Sequence, residues 1–217
     1  MKKGAFIFFF LGISLSCLAA FDLTPPDWRG EPRTTYQEWN FSTPSLSPLP
    51  DEYEGPFDPL AATVQPVSGP WYRWFGWHQG VFPLSGHMYF PILNFEELSE
   101  EKVIQIQVTW FQKKCGYRPL IEAAPVFQED LDGGSSADWI RAALVGEKKL
   151  RFGWRHSTYE IILRPNPPQE IIHITGAIYV DDVIIDTLCM PEPTTLILLG
   201  LGGVVLMLRS RRKLHRA

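Results

Sequence analysis

The chain has 217 residues with 24 Asp and Glu against 20 Lys and Arg, and seven of the basic ones (Lys2, Lys3, Arg209, Arg211, Arg212, Lys213, Arg216) lie at its two ends, so the rest carries 13 against 24, a charge of −11. A surface of that sign repels phosphate backbones, which excludes nucleic acid as a partner. Eight Trp, 19 Pro and few amphipathic stretches of helix length point to short strands joined by rigid turns. With no Cys-x-x-Cys, a zinc ribbon or dithiol redox centre is excluded as well.

Residues 1–20 read as a secretory signal peptide. Lys2 and Lys3 precede an apolar run, Ala5 to Leu18, and the small Ala19 and Ala20 follow for signal peptidase. Residues 21–70 read as a Pro-rich arm packed on the domain that follows. Proline there forbids central-strand pairing, one short strand fits Tyr36–Phe41, and Trp28, Trp39 and Phe57 need cover.

Residues 71–189 read as a single β-sandwich domain. WYRWFGWHQGVFPLSGHMYFPILNF, from Trp71 to Phe95, suggests two or three strands punctuated by Gly76, Gly80, Pro83 and Gly86. Val103–Phe111 is the clearest strand: Ile104, Ile106, Val108 and Trp110 face one way, Gln105, Gln107 and Thr109 the other. Pro125-Val126-Phe127 begins a further strand, and Ser136–Leu144 is expected as one short helix capped by Ser136. Ser157–Pro165 alternates again, and EIIHITGAIYVDDVIIDTL gives two strands broken near Gly176 or near Asp181-Asp182. Sequential strands without interleaved long helices predict an all-β, antiparallel sandwich of jelly-roll type.

Several constellations could carry chemistry. Trp71, Trp74 and Trp77 are candidates for stacking on sugar rings, set against the plainer reading that they fill the core. Carboxylates such as Glu38, Asp51, Glu122 and Glu160 are too widely spread to single out a hydrolytic pair. Asp130 and Asp132, with Asp138, sit in a Gly-rich loop with oxygen ligands for a structural Ca²⁺, the one cofactor the sequence leaves room for, with Asp181-Asp182 as the alternative place. The EF-hand pattern fails there, because the sixth residue from Asp130 is Ser135 and the twelfth Arg141. No catalytic residue and no other metal centre is expected. His78, His87, His156 and His173 lack ligand spacing, and His156 is expected as a hydrogen-bonded structural residue. Export permits one disulfide in the mature body, Cys115 with Cys189, and two unpaired thiols are the equal alternative.

Residues 190–217 form the end of the chain. Pro191-Glu192-Pro193 precedes a 15-residue apolar run, Thr194 to Leu208, and then Arg209, Arg211, Arg212 and Lys213. Fifteen helical residues rise about 22 Å, short of a bilayer core of about 30 Å, so this is a marginal transmembrane helix with a basic cytoplasmic stop. The order of these three parts resembles the bacterial PEP-CTERM sorting signal. The resemblance implies recognition by an exosortase-type membrane protease, transient residence in the inner membrane, and delivery to the cell surface or the extracellular polysaccharide matrix. PPDWRG, YQEWNFST, GWRHSTYEI and GAIYVDDVIIDTLCMPEP are similar to a recurring type of PEP-CTERM ectodomain, which implies a shared sandwich and no activity.

Three functional classes follow. The first is a non-enzymatic surface or matrix protein that binds polysaccharide or neighbouring surface components. The others are a glycosidase-like secreted hydrolase on a jelly-roll scaffold and a structural module without a ligand.

Overall fold

The strand around Val103 is longer than its alternation suggests, because its neighbours extend it at both ends. The computed structural model describes residues 22–65, 71–95, 101–112, 116–126 and 139–190. Their strands are β1 (Thr34–Trp39), β2 (Glu52–Glu54), β3 (Thr63–Gln65), β4 (Tyr72–Phe75), β5 (His78–Leu84), β6 (His87–Leu93), β7 (Glu101–Gln112), β8 (Leu120–Val126), β9 (Ile140–Arg141), β10 (Ala143–Lys149), β11 (Trp154–Leu163), β12 (Gln169–Thr175) and β13 (Ile178–Met190). The signal peptide and the C-terminal apolar run lie outside the described residues.

Two antiparallel sheets face each other. The larger runs β10-β11-β7-β13-β1-β2, with β5 also on β13 and β4 on β5; the smaller runs β3-β6-β12-β8-β9. From β5 onward the chain crosses back and forth between them. The quartets β5-β13-β7-β11 and β6-β12-β8-β9 have the strand order of a jelly roll.

The space between the sheets is filled from both sides. Ile104, Ile106, Val108 and Trp110 of β7 meet Met88, Phe90 and Ile92 of β6 and Ile172 and Ile174 of β12 in one cluster. Trp39 of β1 reaches across to Phe90, ring centroids 4.8 Å apart and nearly edge-on, an arrangement that aromatic quadrupoles favour. The same interior holds an ion pair. Lys102 Nζ of β7 lies 2.6 Å from Glu170 Oε1 of β12 with both side chains fully buried, and Asn94 Nδ2 donates to the other Glu170 oxygen at 2.5 Å.

Three expectations change. The segment 21–70 is not an arm laid on a domain that begins at Trp71: β1 pairs with β13 through six residues, Thr34↔Leu188 to Trp39↔Val183, and Trp39 and Phe41 are core residues. Its prolines flank β1, so pairing there is unhindered. The helix expected at Ser136–Leu144 is replaced, from Ile140 on, by β9 and β10. Pairing of β10 with β11, from Ala143↔Glu160 to Lys149↔Arg155, overrides a local preference that only a weak cap supported. The last two strands break at Gly176, whereas Asp181-Asp182 is a β-bulge inside β13, where the register against β7 slips between Val180 and Asp182.

Gly80 shows how closely the β4–β5 hairpin sits on the chain after β1. Its φ is +77°, and a Cβ there would stand 2.3 Å from the Phe41 carbonyl oxygen, so only glycine fits.

A buried charge is costly chiefly when its partner is missing. Lys102→Met is therefore expected to lower unfolding stability by about 3–5 kcal/mol in urea titrations, leaving Glu170 uncompensated. Adding Glu170→Leu should recover most of that loss; no recovery would mean that the pair is not what the interior depends on.

Candidate functional site

The outer face of the larger sheet carries the polar residues of β7, and its middle is covered. Gln107 and Thr109 are fully buried, as are Asp186 and Ile184 beside them on β13. The cover is the segment before β1. Arg29 reaches down with Nε and Nη2 to Asp186 Oδ1 and Oδ2 at 2.5 and 2.6 Å, also binds Asp22, and lies 4.3 Å over the Tyr36 ring. Thr24 donates through its backbone N and Oγ1 to Gln107 Oε1 at 3.2 and 2.9 Å, and Gln107 Nε2 donates to Asp22 Oδ1 at 3.0 Å.

His156 completes this layer. Nε2 lies 3.0 Å from Gln107 Oε1 and Nδ1 lies 2.9 Å from Thr109 Oγ1. An amide oxygen only accepts, so Nε2 carries the proton and Nδ1 accepts from the threonine. Burial pushes the imidazole down to about 4. Asp186 is raised to about 6 by burial, against the pull of Arg29. These shifted groups form a rivet: each is engaged with another side chain, and the structural role expected for His156 is the one its geometry supports.

The second covered region is aromatic. The β4–β5 hairpin folds over the end of the same face. Phe75 stacks on Tyr179 at 4.5 Å and meets Phe111 and Trp154 edge-on at 5.7 and 6.1 Å. His78 stacks on Trp154 at 3.8 Å, and its Nδ1 lies 2.5 Å from Asp181 Oδ2, so the bulge of β13 holds the hairpin down.

Above this base the hairpin shows its other rings to solvent. Trp74 is 59% exposed and Trp77 is 73% exposed. Phe152, in the turn between β10 and β11, is 71% exposed and stacks with Trp77, centroids 6.3 Å apart and planes 27° apart. Phe152 holds φ +59° and ψ +25°, a left-handed conformation that costs a bulky residue of the order of 1–3 kcal/mol. The sequence therefore accepts strain at the position that presents this ring.

The three tryptophans singled out in the sequence divide. Trp71 is half-buried, packs against the core and donates Nε1–H to the Phe41 carbonyl at 3.0 Å. Trp74 and Trp77 are displayed. Phe152 had no sequence signal beyond its place beside Gly153, whose φ is also positive. The carboxylates considered for hydrolysis are engaged locally or lie apart: Glu38 accepts from the Tyr36 hydroxyl, Asp51 accepts from Asn40 N and Ser42 Oγ, and Glu122 is on the other sheet. There His173 Nδ1 faces Glu122 Oε2 at 3.5 Å, while its Nε2 meets His87 Nδ1 at 2.7 Å.

Asp130, Asp132, Cys115, the Pro191-Glu192-Pro193 triplet and the basic stop lie outside the described residues. Cys189 is buried on β13 opposite Lys102.

Residues 191–213 match the PEP-CTERM protein-sorting motif. The chain thus carries the sorting signal that its C-terminal order of residues resembled, a signal that implies export and processing by an exosortase. No curated protein matches the chain.

The rivet has a pH signature. Unfolded histidine titrates near 6.5, whereas folded His156 stays neutral down to about 4. Protons therefore favour the unfolded chain below 6.5, and His156 loses its stabilising contribution as pH falls toward 4. Comparing the chain with His156→Gln, which can also donate and accept, the stability advantage of histidine should shrink by about 1 kcal/mol or more between pH 7 and pH 4.5. A constant difference would place the titration elsewhere.

Proposed function

We propose that this chain is an exported surface or matrix protein, handed by its PEP-CTERM signal to an exosortase, whose sandwich binds polysaccharide through the rings at the β4–β5 hairpin. The observation that carries this reading is the solvent-facing Trp77–Phe152 stack beside exposed Trp74. Sugar rings present flat C–H faces, and aromatic faces complement them with large contact area and little entropy to lose. The layer of half-buried Phe75, Tyr179 and Phe111 around buried Trp154 fixes the hairpin from below, and preorganisation lowers the cost of binding.

The sorting signal supports the same reading. It directs a protein outward, removal of the tail would release the sandwich from the bilayer, and polysaccharide is abundant outside the cell. Binding, rather than hydrolysis, fits the chemistry at the hairpin. The chain neighbours of the displayed rings are Arg73, Phe75, Gly76, His78, Arg151 and Gly153, none of them a carboxylate, and Asp181, which meets the hairpin, is taken up by His78.

The test is affinity electrophoresis of the full chain, in detergent, against a panel of neutral and acidic polysaccharides. Trp77→Ala should weaken retention about tenfold, equivalent to about 1.4 kcal/mol, at an unchanged melting temperature because the ring is exposed. Phe152→Gly should also weaken it, while holding or raising the melting temperature, since glycine accepts the left-handed backbone. Undiminished retention in both variants would remove the platform from the function.

A further inference from the structure

Resting on that platform reading, we infer that the polysaccharide it takes is acidic, a chain bearing carboxylate or sulfate groups, held by exposed Arg73, Lys148 and Arg151 around the Trp77–Phe152 stack.

The argument starts from charge. Outside its two ends the chain carries −11, so an uncompensated positive region is not the default. Among the described residues, most cations with a recorded partner are neutralised by it: Arg29 by Asp22 and Asp186, Lys102 by Glu170, Arg118 and Arg155 by Glu147, Arg164 by Glu101. Arg73, Lys148 and Arg151 form no ion pair with any described residue, and all three are exposed.

Their placement follows from the strand pairing. Arg73 adjoins Trp74 on β4, and Arg151 adjoins Phe152 in the turn that meets Trp77. Lys148 is the register partner of His156. Directly opposed residues share a face, so Lys148 emerges on the face that the hairpin covers. The nearby carboxylates are engaged elsewhere: Glu147 accepts from Arg155 at 2.5 Å, and Asp181 meets His78 at 2.5 Å. What remains is a set of rings for sugar faces, with guanidinium and ammonium groups for sugar-borne anions carried by the same hairpin, turn and strand. Guanidinium suits carboxylate and sulfate because its planar fork matches two acceptor oxygens.

The experiment compares each acidic polymer with its own neutralised form. Full chain in detergent is titrated with alginate and polygalacturonate beside their carboxyl-reduced forms, and with a sulfated glycan beside its desulfated form. A single-stranded DNA homopolymer is the non-carbohydrate polyanion. At least one acidic polymer should bind about tenfold tighter than its neutral counterpart, and the preference should fade between 50 and 500 mM salt, roughly Debye lengths of 14 and 4 Å. Arg73→Gln with Arg151→Gln should erase the preference while leaving neutral binding, which Trp77→Ala would weaken about tenfold. Equal binding of acidic and neutral forms, weakened alike in Trp77→Ala, would overturn the acidic assignment and leave the platform standing. Absence of binding to every polysaccharide would overturn both. DNA bound more tightly than any acidic glycan would overturn the assignment as well.

Discussion

Asp186 is a carboxylate with no access to water in the middle of the longest strand, and much of the molecule is arranged around the guanidinium that meets it. A buried carboxylate without a partner would cost several kcal/mol. Arg29 supplies a two-pronged partner from 157 residues away in sequence. In doing so it draws the segment before β1 across the outer face of the larger sheet. The glutamine, threonine and histidine side chains beneath then lose water and satisfy one another. The middle of the sheet's outer face, around Gln107, Thr109 and Asp186, becomes covered.

The same strand explains the ring-bearing end. Asp181 sits at the bulge of β13 and is met by His78 from the β4–β5 hairpin. The hairpin is therefore tied down at its base by a polar contact and by the packing of Phe75, Tyr179 and Trp154. Its turn is free to project Trp77, and the turn between β10 and β11 brings Phe152 alongside. Two surface features, the covering segment and the ring-bearing hairpin, are held by carboxylates of one strand. Rings placed on so firm a base have little freedom left to lose.

The sorting signal and the sandwich occupy separate parts of the chain. The sorting motif at residues 191–213 begins immediately after β13 ends at Met190. The strand that organises the sandwich thus runs directly into the segment that directs its export. Removing the tail would take five basic residues with it and leave a strongly acidic body, on which a local group of unpaired cations stands out.

The sequence by itself determined the features that are linear. The Pro-Glu-Pro triplet, apolar run and basic cluster are read in order along the chain, because membrane insertion and proteolytic recognition act on an extended segment. Alternation in Val103–Phe111 and Ser157–Pro165 was enough to predict strands and which apolar residues face inward, since a strand's faces repeat every two residues. Tertiary structure decided what depends on residues distant in sequence. Gln107 and Thr109 looked solvent-facing until Arg29 and Thr24 covered them. Ile140–Lys149 became strand because β8 and β11 offered edges to pair with. Trp71, Trp74 and Trp77 have equal spacing and similar chemistry, yet one packs half-buried against the core and two face solvent. Local spacing says which face of a strand a ring is on, but only the packed sheet says whether anything lies against it.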